Sequence, residues 1–438
     1  MNMQRSLPAL AALLASLALP AATHAGWSAP LTLSRASVWP SAVAADSAGD
    51  TAVAWGTVRD LPPNSMDRYC ARHPFKPTCH GIGRVHLAVR TSRGRVLART
   101  VWEGRSGEMG MSLVIARGEV TLGMGSYDVS DPNETAREVH GPLLGRWSRA
   151  KVLGRFLDYL LTGGHIPLYP QLAAAPDGTV LAAWSACGSL RRCPGAVPGL
   201  KLAWRARGHG FGRTHEVAAA PEGAVPSFDA AGRAYLHSSC SARVLLASPG
   251  SHVFRRVLTL ASGPVRDLSL GLSGAGEGLV SWIPTACSVD EAGGPLPGPV
   301  LARELHAGVF AAPVELTPAG VAADESESVA VRGGGVVGWV AHDRLGVPSS
   351  ANRSLGSVPT LPTGAAPLAA DGGGDIIFGG QGTPLFSSLP VTVIPAGGTA
   401  AQPSPAQTAD IATAPFGRTV AIAWYEGKGP LQLSSWRP

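Results

Sequence analysis

Apolar positions along this chain fall in short blocks, and the blocks come in pairs. The recurring unit is an apolar strand, a tight turn at glycine, and a second strand that closes on an aromatic six residues past that glycine. Gly49 precedes Trp55 in this way, as Gly178 precedes Trp184, Gly276 precedes Trp282 and Gly333 precedes Trp339. Weaker copies turn at Gly118, Gly232 and Gly374, and a last one turns near Gly417 and closes at Trp424. Pro40, Pro170, Pro226 and Pro367 open first strands, where a missing N–H is tolerated. Small apolar residues alternate with larger ones, as in Thr179-Val180-Leu181-Ala182-Ala183-Trp184, which suits strands buried on both faces.

A second half-unit follows most hairpins. Val85-His86-Leu87-Ala88-Val89-Arg90 and Leu200-Lys201-Leu202-Ala203-Trp204-Arg205 read as third strands. Fourth strands share a spacing of three, in Phe211, Thr214, Val217, in Phe254, Val257, Leu260 and in Phe310, Pro313, Leu316. Four strands per unit, repeated about eight times at roughly 40 to 70 residues, predict an all-β fold. That fold is a single closed β-propeller of seven or eight four-stranded blades over residues 26–438. The segment Gly26-Trp27-Ser28-Ala29-Pro30-Leu31-Thr32-Leu33 carries the fourth-strand pattern, and only a third strand follows Trp424. The N-terminal strand is therefore expected to complete the last blade and remove the open sheet edges.

Composition agrees with many short strands. Charged residues are 15%, apolar residues 45%, and 55 Gly and 37 Pro punctuate the chain. Long amphipathic helices are not expected. The net charge of +6 is spread along the sequence, which argues against a nucleic-acid partner. Residues 1–25 show Arg5, an apolar run over 7–19 and small residues before a cleavage point, the signature of a signal peptide. The run is shorter than a membrane span requires, so after signal removal no membrane span is expected, and the protein is placed outside the cell or in the periplasm.

At this point the strand pattern resembles the secreted sialidase-like propellers with BNR repeats. In that family the hairpin between third and fourth strands carries an Asp box, Ser-x-Asp-x-Gly-x-x-Trp. Here Gly308-Val309-Phe310 and Gly250-Ser251-His252-Val253-Phe254 keep a glycine and an aromatic without the aspartate. The family's Arg-Ile-Pro motif has no match, since Ile166-Pro167 lacks the arginine and lies late. The resemblance implies architecture, and the catalytic residues are not carried over.

Six cysteines in an exported chain imply disulfides. The spacing pairs Cys70 with Cys79 and Cys187 with Cys193, which leaves Cys240 and Cys287 at matching positions in consecutive units. All six lie between second and third strands. Those connections are long at 56–84, 126–142, 185–199 and 283–299 and gather on one face, where binding usually resides. Ligand-binding candidates there are Tyr69, Arg72, His73 and Phe75 in the first connection, Tyr127, Asp128 and Asp131 in the second, Arg191 in the third and Asp290 in the fifth unit. The Trp at 55, 184, 282, 339 and 424 share a register that suits core packing, and Arg90, Arg146, Arg205 and Arg303 recur as sheet-flanking residues. Asn133-Glu134-Thr135 and Asn352-Arg353-Ser354 fit the glycosylation pattern. No metal site, cofactor motif or nucleophile elbow is found.

Two function classes follow. The first is a non-catalytic binding or scaffold propeller for a glycan or protein; the second is a divergent glycan-cleaving hydrolase or lyase. A constellation of acid, Arg and Tyr in the propeller mouth is what would distinguish the second from the first.

Overall fold

The computed structural model describes residues 26–34, 40–60, 81–105, 110–128, 131–155, 169–186, 199–217, 223–287, 296–342, 348–362, 365–379, 391–397, 402–403, 410–424 and 430–438. Residues 1–25, where the signal peptide is expected, lie outside them. Eight antiparallel sheets follow one another along the chain as the blades of a propeller, and no helix occurs among the described residues. None is therefore long and apolar enough to cross a membrane.

Blade 1 holds Pro40–Ala45, Thr51–Asp60, Gly81–Arg90 and Val96–Arg105, and blade 2 holds Met111–Ala116, Glu119–Asp128, Asp131–Pro142 and Lys151–Arg155. Blade 3 has Gln171–Ala174, Val180–Ala186, Gly199–Arg205 and His215–Val217, and blade 4 has Val225–Phe228, Ala234–His237, Arg243–Ala247 and Arg256–Thr259. Blade 5 comprises Arg266–Leu272, Glu277–Ile283 and Leu301–His306, with Val309–Phe310 and Val314–Glu315 both pairing with its third strand. Blade 6 shows three strands among the described residues, Glu325–Val331, Gly334–His342 and Pro348–Gly356. Blade 7 is Ala366–Ala370, Ile376–Gly379, Thr392–Ile394 and Gln402–Pro403. Blade 8 is Asp410–Thr413, Val420–Trp424 and Leu431–Arg437.

The N-terminal segment closes the ring as the sequence pattern indicates. Gly26 and Trp27 register with Arg437 and Trp436, and Leu31 with Leu433. Arg90 Nη1 donates to Ser28 Oγ at 3.0 Å, tying blade 1 to the strand that completes blade 8. Every seam between neighbouring blades holds an apolar cluster, including the closing seam, where Val53 and Trp55 of blade 1 meet Ala421 and Leu433 of blade 8. All five recurring tryptophans are buried in these seams, so their shared register is packing.

The recurring arginines behave less uniformly. Arg205 is fully buried: Nη1 donates to Glu119 Oε2 and Nη2 to Thr121 Oγ1, each at 2.7 Å, across the seam to blade 2. Burial pulls the Glu119 carboxyl upward, but the Arg205 guanidinium and the Gly208 N–H outweigh it and hold the group below its ordinary range. Arg303 lies over the Trp282 ring at 5.9 Å, and Arg146 is exposed. A repeat position alone does not say whether a partner waits in the next blade.

Turns set the geometry of one face. In blade 2 the first hairpin turns at Arg117 and Gly118 alone, with φ of 51° and 79°, the two-residue turn that matches strand twist. In blades 1, 4 and 7 the turn opens with an aspartate whose Oδ1 accepts two backbone N–H groups. Asp46 takes Ala48 and Asp50 at 3.0 and 2.9 Å, Asp229 takes Ala231 and Arg233 at 3.0 and 2.9 Å, and Asp371 takes Gly373 and Asp375 at 2.9 and 3.0 Å. Ser273 does the same in blade 5. These turn-capping aspartates lie between first and second strands.

Candidate functional site

Each blade offers two kinds of connection, and they emerge at opposite ends of the ring. Connections between second and third strands leave at one end. The bond between Cys240 and Cys287, with Cα atoms 5.6 Å apart, joins such connections of blades 4 and 5 and shows them to be neighbours. The first connection is shorter than the sequence suggests, because the strands extend to Asp60 and resume at Gly81. The second is no long loop at all: residues 119–126 register with 135–142 as one hairpin, and after an irregularity Asp128 is in register with Asp131. Polar residues at 126–135 hid a strand pair from a reading that looks for apolar alternation.

Tyr127, Asp128 and Asp131 accordingly sit on paired strands near the tip of that hairpin. Tyr69, Arg72, His73, Phe75, Arg191 and Asp290 lie outside the described residues, as do Cys70, Cys79, Cys187 and Cys193. Asn352 is described, and its Nδ2 donates to Pro362 O at 3.0 Å and Ala365 O at 2.9 Å, so the nitrogen a glycan would need is already engaged.

The opposite end is built from the first-to-second and third-to-fourth turns, and three cavities among the described residues open there. First-hairpin turns converge here: Gly372 N–H donates to Ala414 O at 2.8 Å, and a Cβ on Gly417 would come within 2.3 Å of Ser47 Cα. Only glycine allows these turns to approach so closely. Beside them a cavity of about 550 Å³ is lined by Asp46, Asp50, Arg117, Arg207 and Phe416 from blades 1, 2, 3 and 8. Burial raises the Asp46 carboxyl, with the turn's N–H groups opposing. Two further cavities flank the third-to-fourth turn of blade 4, one lined by Trp204, Phe228 and His252, the other by Arg233, Arg255 and Arg256. The signal for this face was present in the sequence as an Asp or Ser three residues before a turn glycine.

Tyr, Asp and Arg do meet in blade 4. Tyr235 Oη donates to Asp229 Oδ2 at 2.9 Å, and Arg233 Nε donates to the same oxygen at 2.5 Å. Tyr235 and Asp229 are wholly buried, and burial, with the Asp229 charge adding, pushes the tyrosine further from ionisation. A phenol so placed reaches no substrate; the trio locks a hairpin. Among the described residues no group of three His, Cys, Asp or Glu is arranged to hold a metal ion.

No family model matches the chain, and no curated protein matches it in sequence. Among solved structures it is similar to virginiamycin B lyase from Staphylococcus aureus, crystallised in a catalytically inactive form with quinupristin, at 9% identity and a TM-score of 0.43 over 94% of this chain and 100% of that one. The polysaccharide lyase Uly1 is similar at 8% identity and a TM-score of 0.43, over 94% and 99%. The Aleuria aurantia lectin is similar at 9% identity and a TM-score of 0.34, over 73% and 93%. Likeness at this level transfers no residue, ligand or activity to the chain.

Proposed function

We propose that the protein is an exported binding or scaffold propeller that holds a glycan or a protein on connections at the ends of its blades and leaves that ligand chemically unchanged. The observation that supports this best is the Cys240–Cys287 bond, which makes connections of two blades a single surface on a ring whose eight seams are all apolar. A rigid scaffold carrying preorganised connections binds without a large ordering cost. The expected export and the stapled first and third connections belong to the same reading.

A glycan array probed with the purified protein is expected to give discrete hits. Mass spectrometry of those glycans after prolonged incubation should show them intact. Shortened products, or products carrying a new double bond, would instead make the protein a hydrolase or lyase.

A further inference from the structure

Residues 248–254, the third-to-fourth turn of blade 4, stand between two unlike cavities. On one side lies a space of about 150 Å³ lined by Trp204, Phe228 and His252. The exposed His252 ring stacks on the Trp204 indole with centroids 4.7 Å apart and planes 15° from parallel, while Phe228 meets that indole edge-on at 6.0 Å.

On the other side lies a space of about 370 Å³ lined by Arg233, Arg255 and Arg256 with the hydroxyls of Ser248 and Ser251. A Cβ on Gly308 of blade 5 would lie 3.7 Å from Arg233 Nη1 and 3.8 Å from Arg256 Nη1, so these two guanidinium groups converge on one point between blades. No carboxylate lines the cavity among the described residues. Asp229, which holds Arg233 Nε, is fully buried and shared with Tyr235. Ser251 borders both cavities.

Asp229 offsets the Arg233 charge, but Arg255 and Arg256 add two more guanidinium groups to a cavity that no carboxylate lines among the described residues, and an oxyanion such as a carboxylate or sulfate is what guanidinium N–H groups match. An aromatic surface beside them suits the apolar C–H face of a pyranose ring, whose hydrogens carry the positive edge that a π face attracts. An inorganic anion would use the arginine cavity and ignore the aromatic one; a neutral sugar would do the reverse. We infer that this turn is straddled by an acidic oligosaccharide, with one ring on the His252–Trp204 stack and the carboxylate or sulfate of a neighbouring sugar in the arginine cavity. This deepens the binding reading above and rests on it.

Calorimetric titration with a heparin-derived hexasaccharide, hexagalacturonate and cellohexaose tests it. One or both acidic chains should bind, and which of them does separates sulfate from carboxylate recognition; cellohexaose should show no measurable heat. The Arg255→Ala/Arg256→Ala double variant should weaken binding at least about 10-fold and His252→Ala about 3-fold or more. Arg243→Ala, an exposed change at the far end of the same blade, should leave affinity unaltered. All three arginines changed are exposed, and an unchanged near-UV spectrum checks that the variants fold. Failure of both acidic chains to bind, equal binding of cellohexaose, or acidic binding that survives the double variant overturns this site. The last of these leaves the binding reading standing, whereas a blank glycan array removes this site together with the glycan arm of that reading and leaves only a protein ligand.

Discussion

Glu327 shows how one side chain takes its chemistry from the ring. It sits on the first strand of blade 6, facing blade 5, where Ser269 Oγ donates to its Oε1 at 3.2 Å. Burial, reinforced by Asp267 and opposed by the serine, pushes its pKa from 4.5 up to about 7. Below 4.5 both folded and unfolded chains carry the proton, so the neutral acid costs nothing. As pH rises from there to about 7 the unfolded chain releases the proton first, and stability is lost across that window. Glu327→Gln should therefore gain about 2 kcal/mol on the wild type between pH 4.5 and 8, read from urea unfolding at both values. Parallel pH profiles for the two proteins would contradict this. The aspartates of the first hairpins, Asp46, Asp229 and Asp371, act at the same scale and were not singled out in the sequence, though an aspartate three positions before a glycine can cap its own turn.

Among elements, the bond between Cys240 and Cys287 is the one covalent link described between blades. It closes a span of 47 residues, for which the chain-entropy model gives about 4 kcal/mol at most. Cys240→Ser is expected to lower the midpoint of thermal unfolding and to leave Cys287 reactive toward a thiol probe in the folded protein. A variant as stable as the wild type would mean that the apolar seam of Val265, Leu268 and Trp282 against Tyr235 and Leu246 holds these blades unaided. The pairing was readable because both cysteines lie five residues past the second strand's closing aromatic, which places them alike in adjacent units. The hairpin over 119–142 was not, because its outer half is polar and pairs through backbone hydrogen bonds that leave no hydrophobic trace.

For the whole molecule, closure is what each blade depends on. Residues 26–34 supply the last sheet with its outer strands, and Trp27 and Leu33 pack into the seams on either side of blade 8. Deleting them exposes an unpaired edge and removes side chains worth about 2 kcal/mol each. A fall of at least about 5 °C in Tm is expected, with new concentration-dependent aggregation. An unchanged melting curve would show that the ring does not need this strand.

What the sequence determined by itself was the repeat: strand order, turn glycines, the aromatic that ends each second strand, and the N-terminal pattern that the C-terminus lacks. These are local properties, set by period and backbone conformation, and they suffice for the architecture. What only the tertiary structure decided is which side chains from different blades meet. Arg205 and Glu119 lie 86 residues apart, and Arg233, Arg256 and Gly308 come from two blades, so no spacing along the chain announces them. The rotation from blade to blade brings them together, and that rotation is a property of packed seams, not of any one strand.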